Sequence, residues 1–357
     1  MQIAMSSLKM GNLLRWHMQR RLLSAAEPPR QAARKEGQPG HESYGSVDYW
    51  REGRTAHVML NRPDRLNAID AQLPFQLQSA IQRANWDDEV TFSSPTDGGS
   101  VHAVLLYGAG KAFCAGYDLK TFAEERDDGI DSNTTEEEMP RYTNQEMPWD
   151  PSLDYQFMWS ATQAYMEIWR SNKPVVAKIK RVAIGGGSDI ALACDVTFIE
   201  TTAKIGYPPS TIWGCPTSAF WYYRLGMEKA KRILFTGEIL SGEKAARIGL
   251  IGEAVPPDQI DQTVDEFMER LGTVPKNQLW YHKTVTNQAV EAAGLLSAQR
   301  LSTIFDGMSR HSPEGVMFQK RCVDVGFKKT VKERDCGKET VWSHLPRQTT
   351  GGGTKKQ

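Results

Sequence analysis

The sequence predicts an α/β fold followed by a helical C-terminal region. Three observations carry the prediction. Apolar, β-rich runs alternate with helix-period segments between residues 57 and 250. The two most conspicuous glycine turns each follow one of those runs, and residues 264–328 hold mostly helical spacing. The 357-residue chain is 40% hydrophobic by count, enough for a sizeable core in one α/β domain with added segments.

The elements follow in order. In residues 1–35, Lys9, Arg15, Arg20, Arg21 and Arg30 interleave with Leu, Met and Trp, and the first acid is Glu27. That is the composition of a mitochondrial transit peptide, with a cleavage point after Leu23; a disordered basic arm is the other reading. Residues 36–46 read as a linker, and structure is expected from Val47. "HVMLN" (57–61) is expected as a strand, "RPDRLNAID" as a loop, and 71–86 as a helix carrying Leu73, Leu77 and Ile81. "TFSSPTDGGS" (91–100) reads as a surface insertion, "VHAVLLYG" (101–108) as a buried strand, and the acidic 124–150 stretch as a lid. A helix is expected over 148–174, ending before Pro174, then the strands "PVVAKIKR" and "DVTFIET" on either side of a glycine-led helix, with "KIGY" continuing the sheet. Two helices around a turn fill 226–250. The core is therefore expected over 47–260, a helical region over 261–330 and a disordered tail over 331–357.

Composition excludes several classes. The formal net charge is +0, which argues against nucleic acid as the main partner. The five cysteines form no C-x-x-C pair, so neither a zinc site, nor any other metal site, nor a disulfide framework is expected. No apolar run approaches the roughly 18 residues of a membrane-spanning helix.

The chemistry gathers at "YGAGKAFCAGYDLK" (107–120) and "AIGGGSDIALACD" (183–195). Glycine lets a backbone approach a ligand closely. First-turn N–H groups have no partner inside their helix and sit at its positive end. Two such turns face to face offer two donors to one oxygen, an arrangement suited to a thioester carbonyl becoming an enolate. A phosphate loop fits less well: Leu105 stands where a P-loop needs its first glycine, and Ala112 follows the lysine.

"NRPDRLNAI", "GKAFCAGYDLK", "AIGGGSDIALACD" and "ARIGLIGEAVP" occur in the order seen in the crotonase, or enoyl-CoA hydratase/isomerase, superfamily, and the resemblance runs from about Val47 to Lys328. It implies a crotonase-like spiral of ββα units with a helical C-terminal trimerisation region. It also implies a homotrimer, often paired into a hexamer, and an acyl-CoA thioester as ligand, with no cofactor beyond the coenzyme A of the substrate. By motif position, the oxyanion amides fall on Tyr117 and Gly186. Arg65, Leu66, Ala68, Ala115 and Leu119 fall where the family binds coenzyme A.

Hydratases of the family use two glutamates to activate a water. Here the first position is Asp189, and the second falls on Pro209 or Ser210, neither of them an acid. A single acid beside an oxyanion hole suffices for double-bond isomerisation, so Asp189 is the expected acid/base and Tyr207 a possible auxiliary hydroxyl donor. Thioester hydrolysis and a non-catalytic, acyl-CoA-binding or RNA-associated role on the same fold stay open. Asp118 and Asp195 read as structural. Trp149, Trp159 and Trp213 suggest an aromatic-walled pocket.

Overall fold

The computed structural model describes residues 33–34, 40–87, 100–124 and 150–336. Most of the expected transit peptide, the insertion up to residue 99, the lid from 125 to 149 and the tail from 337 lie outside the described residues.

The strands, in chain order, are β1 (Ala33–Arg34), β2 (Glu42–Ser43), β3 (Val47–Glu52), β4 (Thr55–Leu60), β5 (Ala103–Gly108), β6 (Val175–Ile179), β7 (Val182–Ile184), β8 (Val196–Glu200), β9 (Lys204–Gly206), β10 (Leu240–Ser241) and β11 (Glu253–Val255). The helices are α1 (Leu73–Trp86), α2 (Pro151–Arg170), α3 (Gly186–Ala193), α4 (Phe220–Leu225), α5 (Met227–Thr236), α6 (Gly242–Arg247), α7 (Ile260–Thr273), α8 (Lys276–Ala292), α9 (Leu295–His311), α10 (Pro313–Val325) and α11 (Phe327–Asp335).

The large sheet runs β1-β2-β3-β4-β5-β6-β8-β11. It is antiparallel from β1 to β4 and parallel from β4 onward. The hydrophobic pattern explains the switch. In β4, Ala56, Val58 and Leu60 are buried and alternate with partly exposed neighbours, as in a strand with one face on the core and the other less covered. In β5, Ala103 to Leu106 are all buried, as both faces of a central parallel strand require.

Successive turns of the chain repeat one plan. A strand enters the large sheet, a second extended segment enters a smaller layer, and a helix follows. The units β6-β7-α3 and β8-β9 follow it, with β7 and β9 parallel in a three-stranded sheet. Cys114 after β5 bridges Ala183 of β7, and Ile69 after β4 bridges Tyr117. The chain is thus a spiral whose second strands stack into one layer, and that layer carries both glycine turns.

Helices cover the large sheet on both faces. Leu73, Leu77, Ala80, Ile81 and Ala84 of α1, at helical spacing, join Tyr165, Ile168 and Trp169 of α2 in the main core. Asp150 caps α2 by accepting from the amides of Ser152 (2.9 Å) and Leu153 (3.2 Å), with Pro151 opening the first turn. On the other face, Ile260, Val264 and Met268 of α7 pack on Leu105, Val176 and Phe198. The first helix past residue 260 is therefore a layer of the core rather than part of a separate helical region. Two other boundaries move. β2, inside the expected linker, pairs with β3, and α11 runs to Asp335, past the expected start of the tail at 331.

Candidate active site

The site starts with a loop held in an unusual shape. Leu66 and Asn67 both adopt positive φ (52° and 55°). Asn67, fully buried, secures it: its Oδ1 accepts the Arg62 amide (2.8 Å), and its Nδ2 donates to the carbonyls of Ala109 (3.0 Å) and Ala112 (2.7 Å). Arg62 bonds the carbonyl of Ala68 and pairs with Asp118 at 3.1 Å. The loop is then laced to the first glycine turn: Ala115 N donates to Leu66 O (3.1 Å), Ile69 N to Gly116 O (2.8 Å) and Asp118 N to Ile69 O (2.9 Å). Arg65 and Leu66 are left exposed beside the turn. Asp118, read as structural from the sequence, makes the pair with Arg62 and also lines the cavity.

The second glycine turn meets the first. Gly185 has φ 54° and donates its N–H to Gly206 O at 2.9 Å. A Cβ on Gly187 would lie 2.4 Å from Cys114 O, so only glycine allows the two turns this close. The amides of Tyr117 and Gly186 donate to no acceptor among the described residues. Tyr165 donates its hydroxyl to that of Tyr117 at 3.1 Å, fixing the ring that flanks Gly186.

These turns line a cavity of about 630 Å³. Arg65, Leu66, Ala68, Ala115, Tyr117, Leu119, Gly186 and Tyr207 all contribute to its wall; Asp189 does not. Phe122, Phe157, Trp213 and Phe327 make much of the wall aromatic. Of the three tryptophans singled out from sequence, Trp213 lines the cavity, Trp159 stacks on Tyr155 at 5.9 Å instead, and Trp149 lies outside the described residues.

Asp189 is 2% exposed in the first turn of α3. Ser218 donates its hydroxyl to Asp189 Oδ1. Burial pushes the Asp189 carboxyl up to about 7; Ser218 offsets part of that rise and the nearby Asp306 charge adds to it. Tyr207 presents its ring to the cavity, but its hydroxyl donates to Cys215 O at 2.9 Å. As a hydroxyl donor to a ligand it is therefore already engaged. Pro209 lines the wall, while Ser210 turns away and donates to Leu234 O at 2.7 Å.

Sequence reasoning missed the contribution of the C-terminal helices. Asp306 and Arg310 of α9, His311, and Lys328 and Arg334 of α11 all line the cavity. Arg310 bonds Asp306 and reaches both carboxylate oxygens of Asp154 at 2.8 Å. The i,i+4 spacing of Asp306 and Arg310 was a readable signal, but on a surface helix that spacing describes an ordinary solvated pair. Ser218 left no signal at all.

Comparison with known proteins decides the family. The enoyl-CoA hydratase/isomerase family model matches residues 51–149 and 143–316. The chain belongs to that family. The crystal structure of an enoyl-CoA hydratase from Mycobacterium smegmatis superposes with a TM-score of 0.70 at 36% identity, over 82% of this chain and 94% of that one. The short-chain-enoyl-CoA hydratase of Clostridium acetobutylicum is 28% identical over 226 residues, 62% of this chain and 73% of its own length. A protein of Dictyostelium discoideum named "Probable enoyl-CoA hydratase, mitochondrial" is 26% identical over 282 residues, 78% of this chain and 87% of its own. The hydratase/isomerase fold is the crotonase-like spiral of ββα units, here with its helical C-terminal region, and the chain is an enzyme of that type.

Proposed function

We propose that the cavity binds an acyl-CoA thioester and runs a hydratase/isomerase reaction through an enolate held by the amides of Tyr117 and Gly186. The observation that carries this reading is the pair of unengaged amides at two turns locked against each other by glycine. Asp189 is the acid/base of this reading: it lies in the first turn of α3 three residues after Gly186, behind the wall rather than in it, and its carboxyl, raised to about 7, would exchange a proton near neutral pH with a ligand that the wall admits to it. Arg65, Leu66, Ala68, Ala115 and Leu119 form the coenzyme A wall, with Lys328 adding positive charge at the cavity while Arg334 is paired with Asp335. Coenzyme A arrives with the substrate, and the reaction draws on no other cofactor.

An acyl-CoA panel read by mass spectrometry tests this directly. Water adds mass, isomerisation changes retention alone, and hydrolysis releases a free thiol. Full turnover by Asp189→Asn on every substrate would exclude Asp189.

Two further parts of the reading concern assembly and location. Trp280 and Tyr281 of α8 and Leu301, Ile304, Phe305 and Met308 of α9 are each 45–53% exposed, an apolar surface suited to a homotrimer or a hexamer. Light scattering at several concentrations measures the mass. The basic, acid-poor first 35 residues and the relative called mitochondrial support delivery to the mitochondrial matrix. A fluorescent protein carrying those residues tests it by import. No helix among the described residues is long and apolar enough to cross a membrane.

A further inference from the structure

By motif position, Pro209 or Ser210 stands where hydratases of the family carry a second glutamate. Another part of the chain brings a carboxylate to that place. A Cβ on Gly214 would stand 2.9 Å from Pro209 Cβ and 3.3 Å from Asp306 Oδ1, so Pro209 and Asp306 meet across Gly214. Both line the cavity. Asp306 is 3% exposed, and its orientation is fixed from two sides. Its Oδ1 accepts the Cys215 amide at 2.8 Å, and its Oδ2 accepts from Arg310. Arg310 is itself clamped by Asp154. One donor on Oδ1 leaves a lone pair of that oxygen for a water.

We infer that Asp306 supplies, from α9, the second acid of a water-adding reaction, its Oδ1 orienting a water in the cavity and taking its proton. The inference rests on the hydratase/isomerase reading above. The water oxygen bonds to the β-carbon of an enoyl thioester as its O–H proton passes to Asp306. The double-bond electrons move to the thioester oxygen, held by the Tyr117 and Gly186 amides. The α-carbon then takes a proton from Asp189. Afterwards Asp306 releases its proton to solvent and Asp189 regains one, so the sum is one water added and no other reactant consumed. Arg310 and Asp154 are positioning residues.

Asp306 is faced by Arg310 from its own helix, Asp154 from α2, Asp189 from α3, and Tyr117, Tyr207 and Cys215 from the loops. Burial raises its carboxyl above the usual range and Arg310 only partly offsets this, which strengthens it as a base.

The test uses the full chain with two readouts: water addition to enoyl-CoA substrates, and exchange of α-protons of saturated acyl-CoA in deuterium oxide. Asp306→Asn is expected to lower water addition by about 10²–10⁴-fold while exchange falls by less than about 10-fold. Asp306→Glu is expected to recover part of the loss and to move the acid limb of the kcat/KM profile. Equal loss of both readouts, or unchanged water addition, overturns the inference. If Asp306→Asn does not fold, the judgement passes to Asp306→Glu, where an unchanged rate and profile overturn it. A wild-type chain that exchanges and hydrates nothing overturns the hydratase/isomerase reading, and Asp306 with it. A hydrating wild type matched by Asp306→Asn overturns Asp306 alone.

Discussion

Gly116 faces the amide of Gly186: a Cβ on Gly116 would stand 3.7 Å from that nitrogen and 2.6 Å from Ile184 O. With φ at 90°, Gly116 also holds a conformation that side chains avoid. Gly116→Ala is therefore expected to push the two turns apart and lower kcat by about 10²–10³-fold. Gly53→Ala is the control. It is strained at φ 55° with nothing within 4 Å, so it is expected to cost about 1 kcal/mol in a melt and leave kcat intact. Similar kinetics for the two variants would break the link between turn spacing and rate.

Asp189 makes stability depend on pH. Its carboxyl is raised from 3.8 to about 7 in the folded chain, so between those values the folded state binds more protons than the unfolded state. The contribution is fully present below pH 4 and lost as pH rises through 7, by roughly 4 kcal/mol. Asp189→Asn is expected to flatten the fall in stability between pH 5 and 8, as read by urea denaturation at each pH. An unchanged difference between those pH values contradicts the buried-acid assignment.

Lys283 is the buried residue of α8, and its ammonium donates to Asp195 Oδ2 (2.8 Å), Ile168 O (2.9 Å) and Lys173 O (3.1 Å). Lys283→Met is expected to destabilise by about 3–5 kcal/mol, because it strands the Asp195 carboxylate. Adding Asp195→Asn is expected to recover part of that loss. Additive losses in denaturant melts would mean that the pair does not couple.

Arg65 is exposed at the edge of the cavity. Arg65→Ala is expected to raise KM for an acyl-CoA about 10-fold and change kcat by less than about threefold, since a contact remote from the reacting carbons binds ground and transition states alike. Added salt is expected to shrink the difference between wild type and variant. A fall in kcat with constant KM would place Arg65 nearer the chemistry.

The periodic parts of the chain were legible in its sequence. Leu73, Leu77 and Ile81 marked α1, and the apolar run before Gly108 marked β5, because burial of a long face leaves a repeating pattern. "KIGY" was read as continuing the sheet and is β9, but β7 and β9 have three residues each, too few to show by pattern that they form a separate layer carrying the glycine turns. The candidate site was legible where it is local: Arg65, Leu66, Ala68, Ala115, Tyr117, Leu119 and Gly186, which all line the cavity, fall within three short motifs. Asp306, some 120 residues from the glycine-led helix, was not, because nothing in its own helix states what that helix packs against. Asp189 was found by its neighbours in sequence, yet its hydrogen-bond partner Ser218 stands 29 positions away, where no local pattern points to it.

One wall of the cavity comes from α9 and α11, while the loop of Arg65 and Leu66 lies more than two hundred residues earlier. Without α9 and α11 the pocket would be open on that side, so a ligand in it would contact both the spiral core and the last helices. A bound acyl-CoA would in turn lower the rate at which those helices detach, and their amides would gain the most hydrogen-exchange protection in its presence.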